Sequence, residues 1–232
     1  MAVSTELLKY FPVLKGVSEP ALEELASQSV LRKFARRGVV INAGDQSEYL
    51  CFLFEGRLQG VDFTLDGREV GLYFVDPGDF CGELGLFDAS GQPEYVIALT
   101  KAQVVFVPAT AIRSILLTHQ GLVEQMFSRM AGRIRTMSAQ RALLGLSNTN
   151  QRVCGQLWML TDKKSINDEG AMEILNPPTH QEMGIMLNMS RETVTRVFQS
   201  LQKKKIVKRD GTTRLLIMEP EALKLMAEGE GE

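Results

Sequence analysis

"PPTHQEMGIMLNMSRETVTRVFQSLQKKKIV", residues 177–207, reads as two short helices joined by a tight turn. Pro177 and Pro178 stop whatever precedes them, because proline cannot continue a helix or donate to one. Thr179 and Glu182 have the T-x-x-E spacing of a capping box, which predicts a helix from His180 to about Leu187. Asn188 suits the left-handed turn residue that follows. Ser190 then caps a second helix. In it Val194, Val197, Phe198 and Leu201 recur at three and four residues and make one apolar stripe. Arg191, Glu192, Thr195, Arg196 and Gln199 make the opposite face, and Glu192 and Arg196 are spaced to pair with each other.

The charge is distributed to match. The whole chain of 232 residues has a formal net charge of −2. Residues 177–215 carry eight Lys or Arg against three Asp or Glu, a balance of +5, so the remainder carries −7. A basic module joined to an acidic one points to a C-terminal part that meets phosphate and an N-terminal part with another task.

Two helices of this shape have the geometry of a helix-turn-helix, whose second helix enters the major groove of DNA with its first turns. Arginine reads guanine with two hydrogen bonds, and glutamate accepts from the cytosine amino group. Lys203, Lys204, Lys205, Lys208 and Arg209 follow as phosphate contacts, beside a hairpin turn at Asp210-Gly211. The plainer alternative for Arg191, Glu192 and Arg196 is a solvated helix face with one ion pair.

Upstream the pattern changes twice. Residues 1–28 read as helical, with "SEPALEELA" opening on Ser18 as N-cap and Pro20 in the first turn. Residues 30–108 alternate short apolar runs, "YLCFLF", "VGLYFV" and "VVFV", with turn signals. Gly44, Gly56, Gly67 and Gly78 stand 11 or 12 residues apart. Strands at that spacing predict an antiparallel barrel or jelly roll. From about Ala111 the period becomes helical. Val123, Met126 or Phe127, Met130, Ile134, Met137, Arg141 and Leu144 form an a/d seam, flanked by Arg133 and Arg135. That seam suits either packing on its own domain or a two-stranded dimer coil. After the polar residues 146–150 come a helix over 151–161, a loop to Pro178, the two close helices and a strand pair. The domain reading is therefore 1–112, 113–146 and 147–232.

Other classes find little support. No run approaches the ~18 apolar residues of a membrane span, and the N-terminus lacks the pattern of a signal peptide, so a cytoplasmic protein is expected. Cys51, Cys81 and Cys154 are odd in number and widely spaced, as free thiols in a reducing compartment are. A metal enzyme on a double-stranded β-fold wants clustered histidines, and residues 30–108 contain none. Neither catalytic nor metal-ligating residues are expected. The only histidines are His119 and His180, and no cysteine cluster suits an iron–sulfur centre.

The turn-glycine series, "GELGLF" at 82–87, the long helix and "SRETVTRV" at 190–197, in that order, resemble the Crp/Fnr family over nearly the whole chain. The resemblance implies an α+β protein: an N-terminal β-roll (a double-stranded β-helix) like a cyclic-nucleotide-binding domain, a long central dimerisation helix and a C-terminal winged helix-turn-helix. It implies a homodimer that regulates transcription, with double-stranded DNA and RNA polymerase as partners. Arg191, Glu192 and Arg196 would read a TGTGA-like half-site repeated as a palindrome. Thr179, His180, Gln181, Ser190 and Thr195 would lie at or near the DNA.

In cyclic-AMP-binding members the amides of the Gly-Glu-Leu turn, here Gly82, Glu83 and Leu84, meet the phosphate. The Glu takes the ribose hydroxyl, and an Arg-Ser pair further on holds the phosphate. Counted without gaps, Pro93 and Glu94 stand where Arg-Ser would be, and no Arg or Lys lies between Arg68 and Lys101. Ser138 matches a purine-contacting position, while its neighbour Met137 departs from the Thr of the pattern. Losing a charge-assisted contact to phosphate removes about 1.5–3 kcal/mol. Adding a carboxylate takes the loss to roughly a hundredfold in affinity or more, at about 1.4 kcal/mol per tenfold. Activation by cyclic AMP in the usual pose is therefore not expected. Some members with an acidic residue here respond to cyclic di-GMP, so both cyclic nucleotides stay open as effectors, as does none.

Overall fold

Apolar runs between the turn glycines become the strands of two facing antiparallel sheets in a computed structural model. It describes residues 2–46, 48–88, 90–161, 166, 170–211 and 213–230. The chain divides into two units, Met1–Arg133 and Ile134–Glu232.

In the first unit one sheet has the order β1 (Val30–Phe34), β8 (Ala102–Pro108), β3 (Tyr49–Glu55), β6 (Phe80–Cys81). The other has the order β2 (Val39–Ile41), β7 (Tyr95–Ala98), β4 (Leu58–Phe63), β5 (Glu69–Val75). The roll expected from the glycine spacing is thus formed. Ile41, Leu53, Leu58, Val75, Val96 and Val104 fill the space between the sheets. Leu50, Phe52, Phe80, Val105 and Val107 point the other way, onto α1 (Thr5–Lys9), α2 (Glu19–Gln28), α4 (Ala109–Leu116) and the start of α5 (Gln120–Leu144). Both faces of β3 are covered, which is why residues 49–54 are apolar without alternation. Phe52 packs between Phe11 and Phe80 at ring-centroid distances of 5.0 and 5.9 Å. Each such buried ring contributes about 1.5–3 kcal/mol.

Three local readings are made more definite. Ser18 stands at the N-cap of α2, but its hydroxyl makes no cap bond and lies 3.3 Å from His119 Nε2. The Ser18 carbonyl accepts from the Leu22 amide at 2.9 Å, and Pro20 follows in the first turn. "GELGLF" is more than a turn: Leu84–Phe87 form one helical turn, α3. In the seam, Met126 is buried and Phe127 is 60% exposed. The seam of α5 therefore runs Val123, Phe127, Met130, Ile134, Met137, Arg141, Leu144, in alternating steps of four and three, with Val123 and Met130 half-buried and the other five exposed.

In the second unit α6 (Thr149–Leu160), α7 (His180–Leu187), α8 (Arg191–Lys203) and α9 (Pro220–Glu228) pack around a sheet of order β10 (Val207–Asp210), β11 (Arg214–Ile217), β9 (Met172–Leu175). The hairpin at Asp210-Gly211 forms as expected, and β10 pairs with β11 in register from Val207↔Ile217 to Asp210↔Arg214. The loop expected up to Pro178 contains a strand, because β11 offers Met172–Leu175 a second edge. Met172 and Ile174 then face the core while Glu173 and Leu175 do not. A four-residue strand does not declare itself without its partner. Within that loop, residues 162–165 and 167–169 lie outside the described residues. Among the described residues no helix is long and apolar enough to cross a membrane.

Candidate functional site

The second unit presents α8 from a fully capped frame. Thr179 Oγ1 accepts from the Glu182 amide, and the Glu182 carboxylate accepts from the Thr179 amide, closing the capping box. Asn188 sits at φ 50°, ψ 53°, the left-handed position its short polar side chain tolerates. Ser190 Oγ accepts from the Thr193 amide at 3.2 Å. The turn between the helices closes onto Gly184, where a Cβ would meet the Met189 carbonyl oxygen at 2.7 Å. That close approach reserves the position for glycine, and spacing alone did not reveal it.

Val194, Val197, Phe198 and Leu201 are buried, which turns Arg191, Glu192, Arg196 and Gln199 outward. The ion pair that the spacing of Glu192 and Arg196 allows is not formed. Arg196 donates to Thr193 Oγ1 at 3.3 Å instead. Glu192 is held below the usual carboxylate range by its own amide at the helix start, the Ser190 hydroxyl and neighbouring Arg191. Lys203, Lys204, Lys205, Lys208 and Arg209 are all exposed. Gln181 is exposed, whereas His180 and Thr195 are turned to each other. His180 Nδ1 and Thr195 Oγ1 are 2.9 Å apart, and the imidazole packs on Phe198 at a centroid distance of 4.5 Å. Burial, then Arg209 and Arg191, push the His180 pKa below its ordinary value.

In the first unit, the turn after β6 carries Gly82 at φ 85°, and a Cβ there would come 3.0 Å from the Tyr49 carbonyl oxygen. Glu83 and Glu94 are both buried, at 3% and 6% exposure, and Leu84 is exposed. The loop offers no cation, as its composition required. One arrives from elsewhere: Arg133 of α5 donates through Nη1 to Glu83, and through Nη2 to the Phe80 carbonyl at 2.9 Å. The same guanidinium stands 4.3 Å from the ring centre of Tyr73. Tyr73 donates its hydroxyl to Glu94 Oε1 at 2.5 Å. Room for that ring comes from Gly60, where a Cβ would lie 2.6 Å from Tyr73 Cε1 and Cζ. Arg133, expected to flank the seam, is buried in the roll instead.

Glu83, Arg133, Tyr73 and Glu94 thus make one connected buried chain. Burial raises the Glu83 carboxyl above the usual range, and Arg133 pulls against that shift. Burial, Cys81 and Glu94 keep the Tyr73 phenol protonated well above its ordinary value. Glu83 and Glu94 were legible as acids at the expected positions; Tyr73, Gly60 and Arg133 were not. Ser138 is exposed on α5.

Comparison with known proteins agrees with this architecture. Residues 31–119 match the cyclic nucleotide-binding domain, and residues 151–226 match the Crp-like helix-turn-helix domain. The chain is 26% identical over 201 residues to the cAMP-activated global transcriptional regulator CRP of Salmonella typhimurium, covering 86% of this chain and 95% of that one. It is 26% identical over 211 residues to the CRP-like cAMP-activated global transcriptional regulator of Mycobacterium tuberculosis, covering 91% and 94%. Among solved structures, FixK2 from Bradyrhizobium japonicum shares the fold with a TM-score of 0.73 at 18% identity, covering 85% of this chain and 96% of that one. The c-di-GMP responsive regulator CLP of Xanthomonas campestris shares it at 0.65 and 19%, covering 86% and 99%. With a cyclic-nucleotide-binding domain followed by a Crp-like helix-turn-helix, and relatives that are transcriptional regulators, the chain belongs to the Crp/Fnr family of DNA-binding transcriptional regulators.

Proposed function

We propose that this protein is a homodimeric regulator that reads a TGTGA-like palindrome and reaches its DNA-binding state without cyclic AMP. The observation that carries the reading is the outward face of α8. Arg191, Glu192 and Arg196 are exposed at its first turns, while the opposite stripe is anchored in the core. Thr179, Gln181, Ser190, His180 and Thr195 lie on or beside the same helix pair, where backbone contacts would set its register. The exposed stripe of α5, with Phe127 at 60% and Ile134 at 66% exposure, supports a second copy packed as a parallel coil. DNA and RNA polymerase in the cytoplasm are the partners this reading implies.

Independence from cyclic AMP rests on the buried chain around Tyr73. Two carboxylates and one guanidinium leave that space with a net negative charge. Arg133 is committed to Glu83, and a phosphate would meet Glu94. A second reading, gating by cyclic di-GMP, is favoured by the acid at Glu94 together with the response named for the Xanthomonas regulator. Gly82, Glu83, Leu84, Glu94 and Ser138 remain its candidate contacts.

Fluorescence anisotropy of a labelled TGTGA palindrome with ligand-free protein tests this, at stated salt because phosphate contacts make affinity salt-dependent. Specific binding over scrambled DNA without nucleotide supports the reading. Binding that requires cyclic AMP overturns the effector part, and equal binding to both DNAs overturns the operator.

A further inference from the structure

Cys51 and Cys81 stand directly opposite each other in the register of β3 and β6, with the next pair at Phe52↔Phe80. Both are free thiols, 1% and 0% exposed, and both belong to the cluster between the two sheets. The register is held two residues further on by the Leu53 amide donating to the Asp79 carbonyl at 2.9 Å. Cys81 Sγ lies 3.8 Å from the Cys51 carbonyl oxygen. The neighbouring Cys51 thiol and burial push the Cys81 thiol well above its usual range. Opposed residues of an antiparallel pair have Cα atoms ~4.5–5.5 Å apart, inside the ~4.4–6.8 Å window of a disulfide. The third cysteine, Cys154, belongs to the core of the other unit and is pushed up to about 12 by burial.

Cys51 also borders a groove of about 940 Å³ whose other walls include Arg32, Tyr49, Phe106 and Gln92. The Arg32 guanidinium stands 4.4 Å from the Phe106 ring centre. The groove brings a small oxidant to the wall that Cys51 forms.

We propose that Cys51 and Cys81 form a cross-strand dithiol, oxidised by a hydroperoxide to a disulfide inside the sensor domain. Cys51 sulfur attacks the peroxide, forming an S–O bond as the O–O bond breaks and releasing the first water. Cys81 sulfur then displaces the hydroxide from Cys51, which leaves as the second water with the Cys81 proton. Two thiols and one hydrogen peroxide give one disulfide and two waters. Only Gly82 separates Cys81 from Glu83, whose carboxylate accepts from Arg133 of α5. A disulfide at Cys81 therefore forms beside the Glu83–Arg133 pair, and acts through it on α5.

The test treats reduced full-length protein with hydrogen peroxide, alkylates remaining thiols under denaturing conditions and maps the peptides by mass. The expected product is a linked Cys51–Cys81 peptide with Cys154 alkylated, reversed by dithiothreitol. Cys81→Ser, and Cys81→Ala should serine perturb the core, give no linked peptide, while Cys154→Ser still does. Both thiols fully alkylated after oxidation, or a link through Cys154 or between chains, overturns the site. Anisotropy with the palindrome is read separately and rests on the DNA reading above. A shift in Kd within the roughly 5–150-fold range of ordinary site-to-site coupling is expected on oxidation. An unchanged Kd for a verified disulfide overturns the link to α5. Absence of specific binding in both redox states counts against the operator and leaves the mass result to judge the dithiol.

Discussion

Arg133 meets Glu83 across fifty positions of sequence and closes the turn after β6 against the long helix. The side chains are 10% and 4% exposed, so neither charge has water to fall back on. A loop without any cation of its own thereby has one of its two buried carboxyl groups paired from α5. The guanidinium also covers the Tyr73 ring, which ties Glu94 to the same structure.

Breaking that pair should be costly in an unequal way. Arg133→Ala leaves a buried carboxylate alone and should lower stability by about 3–5 kcal/mol, while a double change to apolar residues of similar volume is often near neutral. Urea denaturation of Arg133→Ala and of Glu83→Leu/Arg133→Met, followed by circular dichroism, measures both. Equal loss in the two would mean that the cost does not come from the stranded Glu83 carboxylate.

Local features were the legible ones. The capping box at Thr179 and Glu182 and the cap at Ser190 act over three residues, so their consequences can be read from adjacent letters. The roll was legible through its turn glycines. Neighbours on a helix point ~100° apart, so periodicity alone left both Met126 and Phe127 in play. The roll's core decided between them by taking Met126. Tyr73 meets Gly60 across neighbouring strands and Glu94 beside β7 of the same sheet, while Arg133 reaches Glu83 from α5, so these contacts arise only once distant segments have paired and packed. No period in the sequence marks them.

His180 should make the second unit acid-sensitive. Its pKa lies below the ordinary 6.5, chiefly through burial, so protons favour the unfolded chain. The stability it contributes is complete above its unfolded value and is lost as pH falls through the depressed folded value. The single tryptophan, Trp158 in α6, reports this unit by fluorescence. The denaturation midpoint should fall on acidification from about pH 7.5 to 5.5 across the ordinary histidine range, and His180→Gln should flatten the change. A midpoint that rises on acidification would reverse the assignment.

Ile134 tests the coil. At 66% exposure it is outside the chain's own cores, so Ile134→Glu should leave the denaturation midpoint of the monomer unchanged. A charge in an a/d seam should instead separate two copies, read as a lower mass in sedimentation. Binding to the full palindrome should lose the roughly 10²–10⁴-fold gain of linking two half-site readers, while binding to a half-site persists. A variant that stays dimeric would move the interface away from this stripe.

Arg191 and Lys208 separate base reading from phosphate contact on one surface. Both are exposed, so replacing either removes little of the fold. Arg191 stands in the first turn of α8, the part of such a helix that enters the groove, whereas Lys208 lies on β10 beside the hairpin. Arg191→Ala should cost about 1–3 kcal/mol on the TGTGA palindrome and almost nothing on scrambled DNA, and Lys208→Ala should weaken both alike and reduce the salt slope by about one. Anisotropy on both DNAs across a salt series reads the two signatures in one experiment. If Arg191→Ala weakened the two DNAs equally, α8 would be a charged surface held against DNA and its side chains would carry no sequence information. If Lys208→Ala changed the preference itself, the hairpin would be reading bases, and the assignment of the two elements would have to be exchanged.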